Sequence, residues 1–344
     1  MEGERGISMR AGGIVAGFGA VLGCLAFVLS GAAGSAEAAA PDGTATKLVF
    51  VGDVMLDRGV QESVLTAGNA DWSFPFAQVR SVVRDADLAF ANLESIISDR
   101  GERMKPSFLC CSFRAPPPAL SGLQDAGFDV VSVANNHAGD FGRDAMADSA
   151  GRLRSGGILP VGFGQNDTDA RKPVLLTVGD TTFAYLAYTD RGSSQWRARD
   201  GRSGFAFFAR AGRSGIAWLR EETLAADVAA ARTIADVVIV SMHTGTEYQS
   251  SPSPKTQRLA RRAIDEGATI VVAHHPHVAQ PVERYGEGVI AYSLGNFVFD
   301  QDEGENPGVR DGLLLEVSFE GRVLTGVSER PIRINDDHQP QLTP

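Results

Sequence analysis

The sequence predicts an α/β fold whose parallel strands deliver polar residues to one edge of a sheet. Short runs of apolar and β-branched residues alternate along the chain with stretches of helical periodicity. Five of these runs end at or next to an Asp, Asn, Glu or His residue. Because the carboxyl ends of parallel strands lie at the same edge, these polar groups are expected to meet there and form a ligand site.

The five strands are predicted from predominantly apolar runs, which are typical of buried parallel strands. The runs and the polar residues that follow them are 48–51 with Asp53, 87–91 with Asn92 and Glu94, 129–134 with Asn135, Asn136 and His137, 237–242 with His243, and 269–273 with His274, His275 and His277. Helical spacing predicts helices over 142–155, 213–233 and 254–267.

The remaining apolar runs are separated by turn residues and predict further strands. Residues 174–178 and 183–188 flank Gly179-Asp180 and predict a hairpin. Runs at 289–294, 312–319 and 322–327 predict a mixed or antiparallel sheet in the carboxyl-terminal third. Two sheets packed between layers of helices would accommodate all of these elements.

Composition and charge exclude several classes of protein. The chain has 344 residues, of which 43% are hydrophobic and 22% charged, and this excludes collagen-like, low-complexity and mostly disordered proteins. Its formal net charge of −10 provides no global basic field for nucleic acid, so no nucleic-acid partner is expected. An anionic substrate must therefore be bound by a local group of residues.

The first 40 residues predict a signal peptide or an N-terminal membrane anchor. Residues 11–36 carry no charge, and small residues from Ser35 to Ala40 offer a cleavage site. Lipidation at Cys24 is a weaker alternative, because the residues after it remain apolar. The protein is expected to be exported to the periplasm or the extracellular space, with membrane attachment through this segment if it is not cleaved. Residues 47–330 are expected to form one domain, followed by a polar tail over 331–344.

The polar residues at the strand ends favour a metal site. Five of the six histidines lie there, together with two carboxylates and several amides. A single histidine in such a position is usually an ordinary core residue, but five histidines grouped at strand ends are not explained in that way. Imidazole, carboxylate and amide oxygen together suit Zn, Mn or Fe(II), and the pattern predicts one or two divalent ions.

Six motifs, in order between residues 47 and 330, strongly resemble the CapA/PgsA family. They are Gly52-Asp53-Val54-Met55-Leu56-Asp57-Arg58, Ala91-Asn92-Leu93-Glu94-Ser95, Ala134-Asn135-Asn136-His137, His243-Thr244-Gly245-Thr246-Glu247-Tyr248, His274-His275-Pro276-His277-Val278 and Tyr292-Ser293-Leu294-Gly295-Asn296-Phe297. The resemblance implies a four-layer α/β/β/α sandwich of the calcineurin-like metallophosphoesterase type. It also implies a role in the synthesis or export of poly-γ-glutamate capsule.

The resemblance assigns roles to individual residues. The implied metal ligands are Asp53, Glu94, Asn136, His243, His275 and His277, with Asn136 preferred over Asn135 because it directly precedes His137. His137 would protonate a leaving group, and Glu94 could instead act as a base or cap a following helix. The residues implied to support the ligands or contact substrate are Asn92, Asn135, His274, Glu247 and Asn296.

Two positions depart from the general phosphoesterase pattern. Met55 stands where a histidine would be expected, and Asn92-Leu93-Glu94 replaces a Gly-Asp segment that supplies a bridging carboxylate. Both departures also occur in CapA-like proteins. They therefore favour that branch and weaken the expectation of a complete two-metal centre.

A local basic stretch is a further candidate for substrate binding. Between Asp190 and Arg213 six arginines stand against two aspartates, a net charge of +4. Arg197, Arg199 and Arg202 are predicted to bind an anionic polymer or a phosphoester by forked contacts. A solvated loop is an equally good interpretation of the same charges.

These observations predict an exported protein of capsule or poly-γ-glutamate biosynthesis that has a divalent-metal hydrolase site and works with capsule-synthesis membrane proteins. Two alternatives remain open. One is a secreted metallohydrolase, a phosphoesterase or an amidase, without a capsule role. The other is a catalytically inactive subunit that binds or exports the polymer.

Overall fold

The apolar runs of the sequence form two β-sheets that stack on each other between helices. The computed structural model describes residues 45–105, 111–191 and 207–343. The predicted signal or anchor segment, 1–40, and the predicted substrate-binding residues Arg197, Arg199 and Arg202 lie outside the described residues. Within them, none of the helices combines the length and the apolar character that crossing a membrane requires.

Strands dominate the described part of the chain. In chain order they are β1 (Thr46–Val54), β2 (Leu88–Leu93), β3 (Ile96–Ile97), β4 (Arg114–Ala115), β5 (Val130–Ser132), β6 (Leu159–Val161), β7 (Phe163–Gly164), β8 (Val174–Val178), β9 (Thr181–Thr189), β10 (Gly215–Ile216), β11 (Val237–His243), β12 (Ile270–His274), β13 (Val282–Tyr285), β14 (Gly288–Ala291), β15 (Asn296–Val298), β16 (Asp311–Glu320), β17 (Val323–Ile334) and β18 (Pro340–Leu342).

The helices lie between these strands. They are α1 (Arg58–Leu65), α2 (Arg80–Arg84), α3 (Leu120–Ala126), α4 (Gly142–Ser155), α5 (Asp167–Ala170), α6 (Glu221–Ala231) and α7 (Pro254–Asp265). The start of α7 follows from its sequence, because the Ser253 side chain accepts a hydrogen bond from the Thr256 N–H and Pro254 occupies the first turn.

The first sheet has the order β18-β17-β16-β1-β2-β5-β6, and β15 takes over the pairing with the end of β1. Its strands β1, β2, β5 and β6 are parallel. The second sheet has the order β13-β14-β12-β11-β9-β8, in which β14, β12, β11 and β9 are parallel. All five predicted strands and the predicted β8–β9 hairpin are present. The runs expected to form a mixed or antiparallel sheet in the carboxyl-terminal third are strands, but they are divided between the sheets: β14 pairs with β12 in the second sheet, and β16 and β17 are antiparallel strands of the first.

The alternation of side chains along the strands produces three apolar cores. Leu48 and Phe50 of β1 face the second sheet and pack in one core with Tyr185 of β9. Val49 and Val51 point to the opposite face, where helices including α1 and α3 cover the sheet. On the far side of the second sheet, α6 and α7 bury a third core. The four-layer α/β/β/α sandwich is therefore confirmed.

The structure differs from the sequence prediction in two places. The helix predicted over 213–233 begins only at Glu221, because β10 pairs with β7 and the backbone N–H groups of Ala217 and Leu219 donate to Gly162 and Thr189. Residues 331–342, expected as a polar tail, form the end of β17 and the strand β18 at the sheet edge. Apolar periodicity does not detect such backbone pairing.

Candidate metal centre

The five polar strand ends converge where the edges of the two sheets face each other. β1, β2 and β5 contribute from the first sheet, and β11 and β12 contribute from the second. Several of the polar side chains brought together there are completely buried, namely those of Asp53, Asn92, Glu94, His243 and His274. Polar groups are rarely buried in such density unless they bind one another or a ligand.

Asp53 lies at the centre of this group. Asn92 Nδ2 donates a hydrogen bond to Asp53 Oδ1 at 2.8 Å. The Nδ1 atoms of His274 and His277 lie 3.5 and 3.3 Å from the two carboxylate oxygens. Burial raises the pKa of Asp53, but the nearby imidazoles of His274 and His277 outweigh burial and hold the pKa well below its usual value. This shift favours the ionised form of Asp53.

Glu94 has no hydrogen-bond donor among the described residues, although it is fully buried. Its Oε1 atom lies 3.8 Å from His137 Nε2 and 3.7 Å from His243 Nε2, too far for hydrogen bonds. Burial, followed by the charge of Asp53, raises the pKa of Glu94 well above its usual value. The alternative in which Glu94 caps a helix is wrong, because strand β3 follows it.

A buried carboxylate without a donor, flanked by imidazole nitrogens, fits a divalent cation. The ligand atoms of three overlapping sets of residues lie within 4.8 Å of one another: Glu94, His243 and His275; Glu247, His275 and His277; and Asp53, Glu94 and His277. The donors are carboxylate oxygens and imidazole nitrogens, which suit Mn, Zn or Fe(II). The expected ligands are thus brought together.

The two neighbouring asparagines occupy different positions. The Asn135 side chain donates to the Leu93 carbonyl at 2.8 Å and accepts from the His137 N–H at 3.1 Å, so both ends of its amide hold the loop. Asn136 Oδ1 lies 2.6 Å from His243 Nε2, beside the ligand group. This placement agrees with the preference for Asn136 as the amide that faces a metal.

His137 is held by residues that sequence reasoning did not connect with it. Its Nδ1 atom lies 2.7 Å from Asp140 Oδ2, and its ring stacks on Phe113 with centroids 3.9 Å apart. Lys105 Nζ lies 2.8 Å from the other oxygen of Asp140. Burial lowers the pKa of His137 to about 4, although the charge of Asp140 opposes this shift. The only sequence signal for this contact is the spacing of three residues between His137 and Asp140, and that spacing alone indicates no more than a turn.

The loop after β12 presents His275 and His277 in an unusual backbone conformation. Their φ angles are 98° and 60°, in the region that disfavours residues with a side chain. His277 Nδ1 lies 2.9 Å from Asn296 Oδ1, and Asn296 Nδ2 donates to Gln301 and to the Val309 carbonyl. Burial lowers the pKa of His277, but Glu94 and Asp53 outweigh this and raise it to about 9.

The mouth of the site carries both acidic and basic side chains. Glu247 Oε1 lies 3.9 Å from His275 Nε2, and the Glu247 side chain is 47% exposed. Burial and the charge of His277 lower the pKa of His275, and the charge of Arg191 lowers it further. Arg191 is the first arginine of the basic stretch, so the described end of that stretch lies within electrostatic reach of the site.

Most of the chain matches one known protein family. The family described as bacterial capsule synthesis protein PGA_cap matches residues 47–301. The chain belongs to this family. The PGA_cap match contains most of the candidate site, from Asp53 to Asn296, and the resemblance found in the sequence is confirmed.

Two curated PGA_cap relatives are capsule proteins by name. The PGA biosynthesis protein CapA of Bacillus subtilis is 34% identical over 253 residues, which cover 73% of this chain and 63% of that protein. The capsule biosynthesis protein CapA of Bacillus anthracis is 31% identical over 260 residues, which cover 74% of this chain and 60% of that protein. The chain thus spans about three fifths of the length of these relatives.

A solved phosphatase shares the fold. A novel phosphatase from Mycoplasma pneumoniae aligns with a TM-score of 0.51 at 13% identity, covering 85% of this chain and 94% of that chain. At this identity the similarity shows the fold alone. The PGA_cap chain therefore shares its sandwich fold with a phosphatase, and the residue groups that could hold a divalent metal lie at the edges of its sheets.

Proposed function

We propose that this PGA_cap protein acts in capsule or poly-γ-glutamate biosynthesis as a metal-dependent hydrolase. The observation that carries the proposal is the Glu94 carboxylate, which is fully buried, lacks a donor among the described residues and lies between His137 and His243. A structural carboxylate would be paired or solvated. The capsule role is supported by family membership and by the names of the two CapA relatives.

One or two divalent ions would be held by the carboxylates, the imidazoles and one amide: Asp53, Glu94, Asn136, His243, His275 and His277. When bound, such an ion lowers the pKa of coordinated water and offsets the negative charge that develops during hydrolysis. Asn296 orients His277 through the contact to Nδ1, which leaves Nε2 as the ligand atom.

His137 would supply the proton to the leaving group. Asp140 fixes the ring through Nδ1 and leaves Nε2 directed to the Glu94 side of the site. The pKa of about 4 makes the imidazole neutral at pH 7. An anionic substrate placed beside the ring would raise this pKa, so that His137 takes up its proton as the substrate binds.

We also propose that residues 1–40 direct export and that an anionic polymer or a phosphoester is the substrate. The segment is uncharged over 11–36 and ends in small residues, as signal peptides do. The proposed capsule role and the proposed export together make capsule-synthesis membrane proteins the expected partners of this PGA_cap chain.

Hydrolysis by the full chain should depend on metal. We expect the purified protein to cleave a phosphoester such as p-nitrophenyl phosphate, or a γ-linked glutamate oligomer, when Mn²⁺ or Zn²⁺ is present. Treatment with a chelator should reduce the rate to background, and added Mn²⁺ should restore it. Metal-loaded protein that cleaves neither substrate but binds the γ-linked glutamate oligomer would contradict the proposed hydrolase activity. It would support the alternative of a subunit that binds or exports the polymer.

A further inference from the structure

A cationic residue lies one aromatic ring away from His137. The centroid of the Phe113 ring is 3.9 Å from the centroid of the His137 ring and 4.6 Å from the guanidinium carbon of Arg58. The Arg58 side chain is 36% exposed, so it reaches solvent at the mouth of the site. None of the metal ligands requires an arginine in this position.

The backbone around Arg58 is held in a strained conformation. Arg58 has a φ angle of 50°, in the left-handed region that disfavours a residue with a side chain. The Asp57 carboxylate maintains this conformation, because one of its oxygens accepts from the Arg58 N–H at 2.8 Å and the other accepts from the Arg114 N–H at 2.7 Å. Strain of this kind persists where the surrounding contacts hold it, and it is frequent at ligand-binding sites.

Asp300 fixes the other end of the arginine. Its carboxylate forms an ion pair with Arg58 and also accepts from the Gly59 N–H at 2.9 Å. A Cβ atom at residue 59 would lie 3.0 Å from Asp300 Cβ, so a side chain at this position would displace Asp300 from its present place. Besides Asp300 and the face of the Phe113 ring, the Arg58 guanidinium contacts Cys111 Sγ at 3.9 Å, and its remaining donors can serve a ligand.

The segment 299–301 connects Arg58 to both sides of the metal centre. Phe299 packs against Phe113 and against His277, with ring centroids 5.8 and 5.1 Å apart. Gln301 accepts from Asn296 Nδ2 at 2.9 Å and donates to Tyr248 Oη at 3.2 Å. Burial raises the pKa of Tyr248, and the charge of Arg58 opposes this rise, which places Arg58 within electrostatic reach of the mouth.

We propose that Arg58 binds an oxyanion of the substrate beside His137 and that Asp300 positions it. The inference rests on the proposed function, because it concerns the substrate of the same site. A forked guanidinium recognises two oxygens of one anionic group, either a phosphoryl group or a carboxylate of a γ-linked glutamate chain. In a protein with a net charge of −10, such an anion needs a local cation of this kind.

The test measures anion affinity and metal content separately. The full chain is loaded with Mn²⁺, and inorganic phosphate is titrated into it calorimetrically at low ionic strength. Arg58→Gln should weaken phosphate binding about tenfold, and Arg58→Lys should recover part of the loss, because the charge returns without the fork. Arg330→Gln is the matched control, since Arg330 of β17 is 37% exposed and pairs with Glu316 of β16. It should leave the affinity unchanged.

Wild-type phosphate affinity in Arg58→Gln would overturn the proposal. If Arg58→Gln loses metal, the Arg58→Lys variant is used in its place. Wild-type phosphate affinity in Arg58→Lys would then overturn the proposal. A parallel titration with γ-glutamyl-glutamate identifies the source of the anion, because the ligand that depends on Arg58 is the one recognised. Failure of the proposed function is separate: it would appear as wild-type protein that binds no Mn²⁺.

Discussion

Glu94→Gln should abolish high-affinity metal binding without destabilising the metal-free protein. The substitution keeps the shape of the side chain and removes the charge that a divalent ion would neutralise. Metal affinity should fall about 100-fold or more, as expected when a ligand is lost. The buried carboxylate has no donor among the described residues, so its replacement should leave the free energy of unfolding of the metal-free protein unchanged or raise it by about 1–2 kcal/mol.

Metal titration and urea unfolding of the chelated protein measure the two effects. Glu316→Gln is a suitable control, because Glu316 is an acidic residue of β16 that pairs with Arg330 at 2.8 Å, outside the site. This control should bind metal normally. Two results would show that Glu94 has a structural role instead. One is a Glu94→Gln protein that binds metal as tightly as the wild type, and the other is a Glu94→Gln protein whose metal-free form is less stable than the metal-free wild type.

His137→Ala should reduce turnover about 10²–10⁴-fold while the metal stays bound. The imidazole is the side chain assigned to proton transfer, and the other assigned groups hold metal. Asp140→Asn should give a smaller loss, because the ring is then oriented by Phe113 alone. Turnover of p-nitrophenyl phosphate and bound metal are measured on the same samples.

Two results would contradict the proposed role of His137. If His137→Ala retains metal and turns over near the wild-type rate, the ring is a structural partner of Asp140 and Phe113. If it loses metal instead, the side chain contributes to the ligand group rather than to proton transfer. The pH dependence of turnover gives a further check, because substrate binding is expected to raise a pKa that lies at about 4 in the free protein.

Much of the site could be predicted because it depends on strand ends. Asp53 and His243 end buried apolar runs that must form parallel strands, and parallel strands place their carboxyl ends together. The same reasoning located Glu94 and His275 near each other, although 181 residues separate them in the chain. Hydrophobic patterning therefore predicted that these polar residues lie together, and the resemblance to the CapA/PgsA family assigned the metal ligands among them.

The environment of those residues could not be predicted in this way. Phe113 and Lys105 belong to irregular segments whose packing follows no period, so nothing in the sequence placed them against His137 and Asp140. The late start of α6 depends on backbone hydrogen bonds from Ala217 and Leu219, which side-chain patterns do not record. Contacts between loops are decided by the tertiary fold, and they became visible only there.

The metal content of the full chain, purified without chelator or affinity metal, decides whether the strand ends form a metal centre. The wild type should carry one or two Mn, Zn or Fe ions per chain, and a His275→Ala/His277→Ala double variant should carry none while it remains folded. Folded wild-type protein that is free of metal and takes up no added Mn²⁺ or Zn²⁺ would contradict the account. The histidines would then be buried polar groups without a ligand, and a binding or export role would become the better explanation.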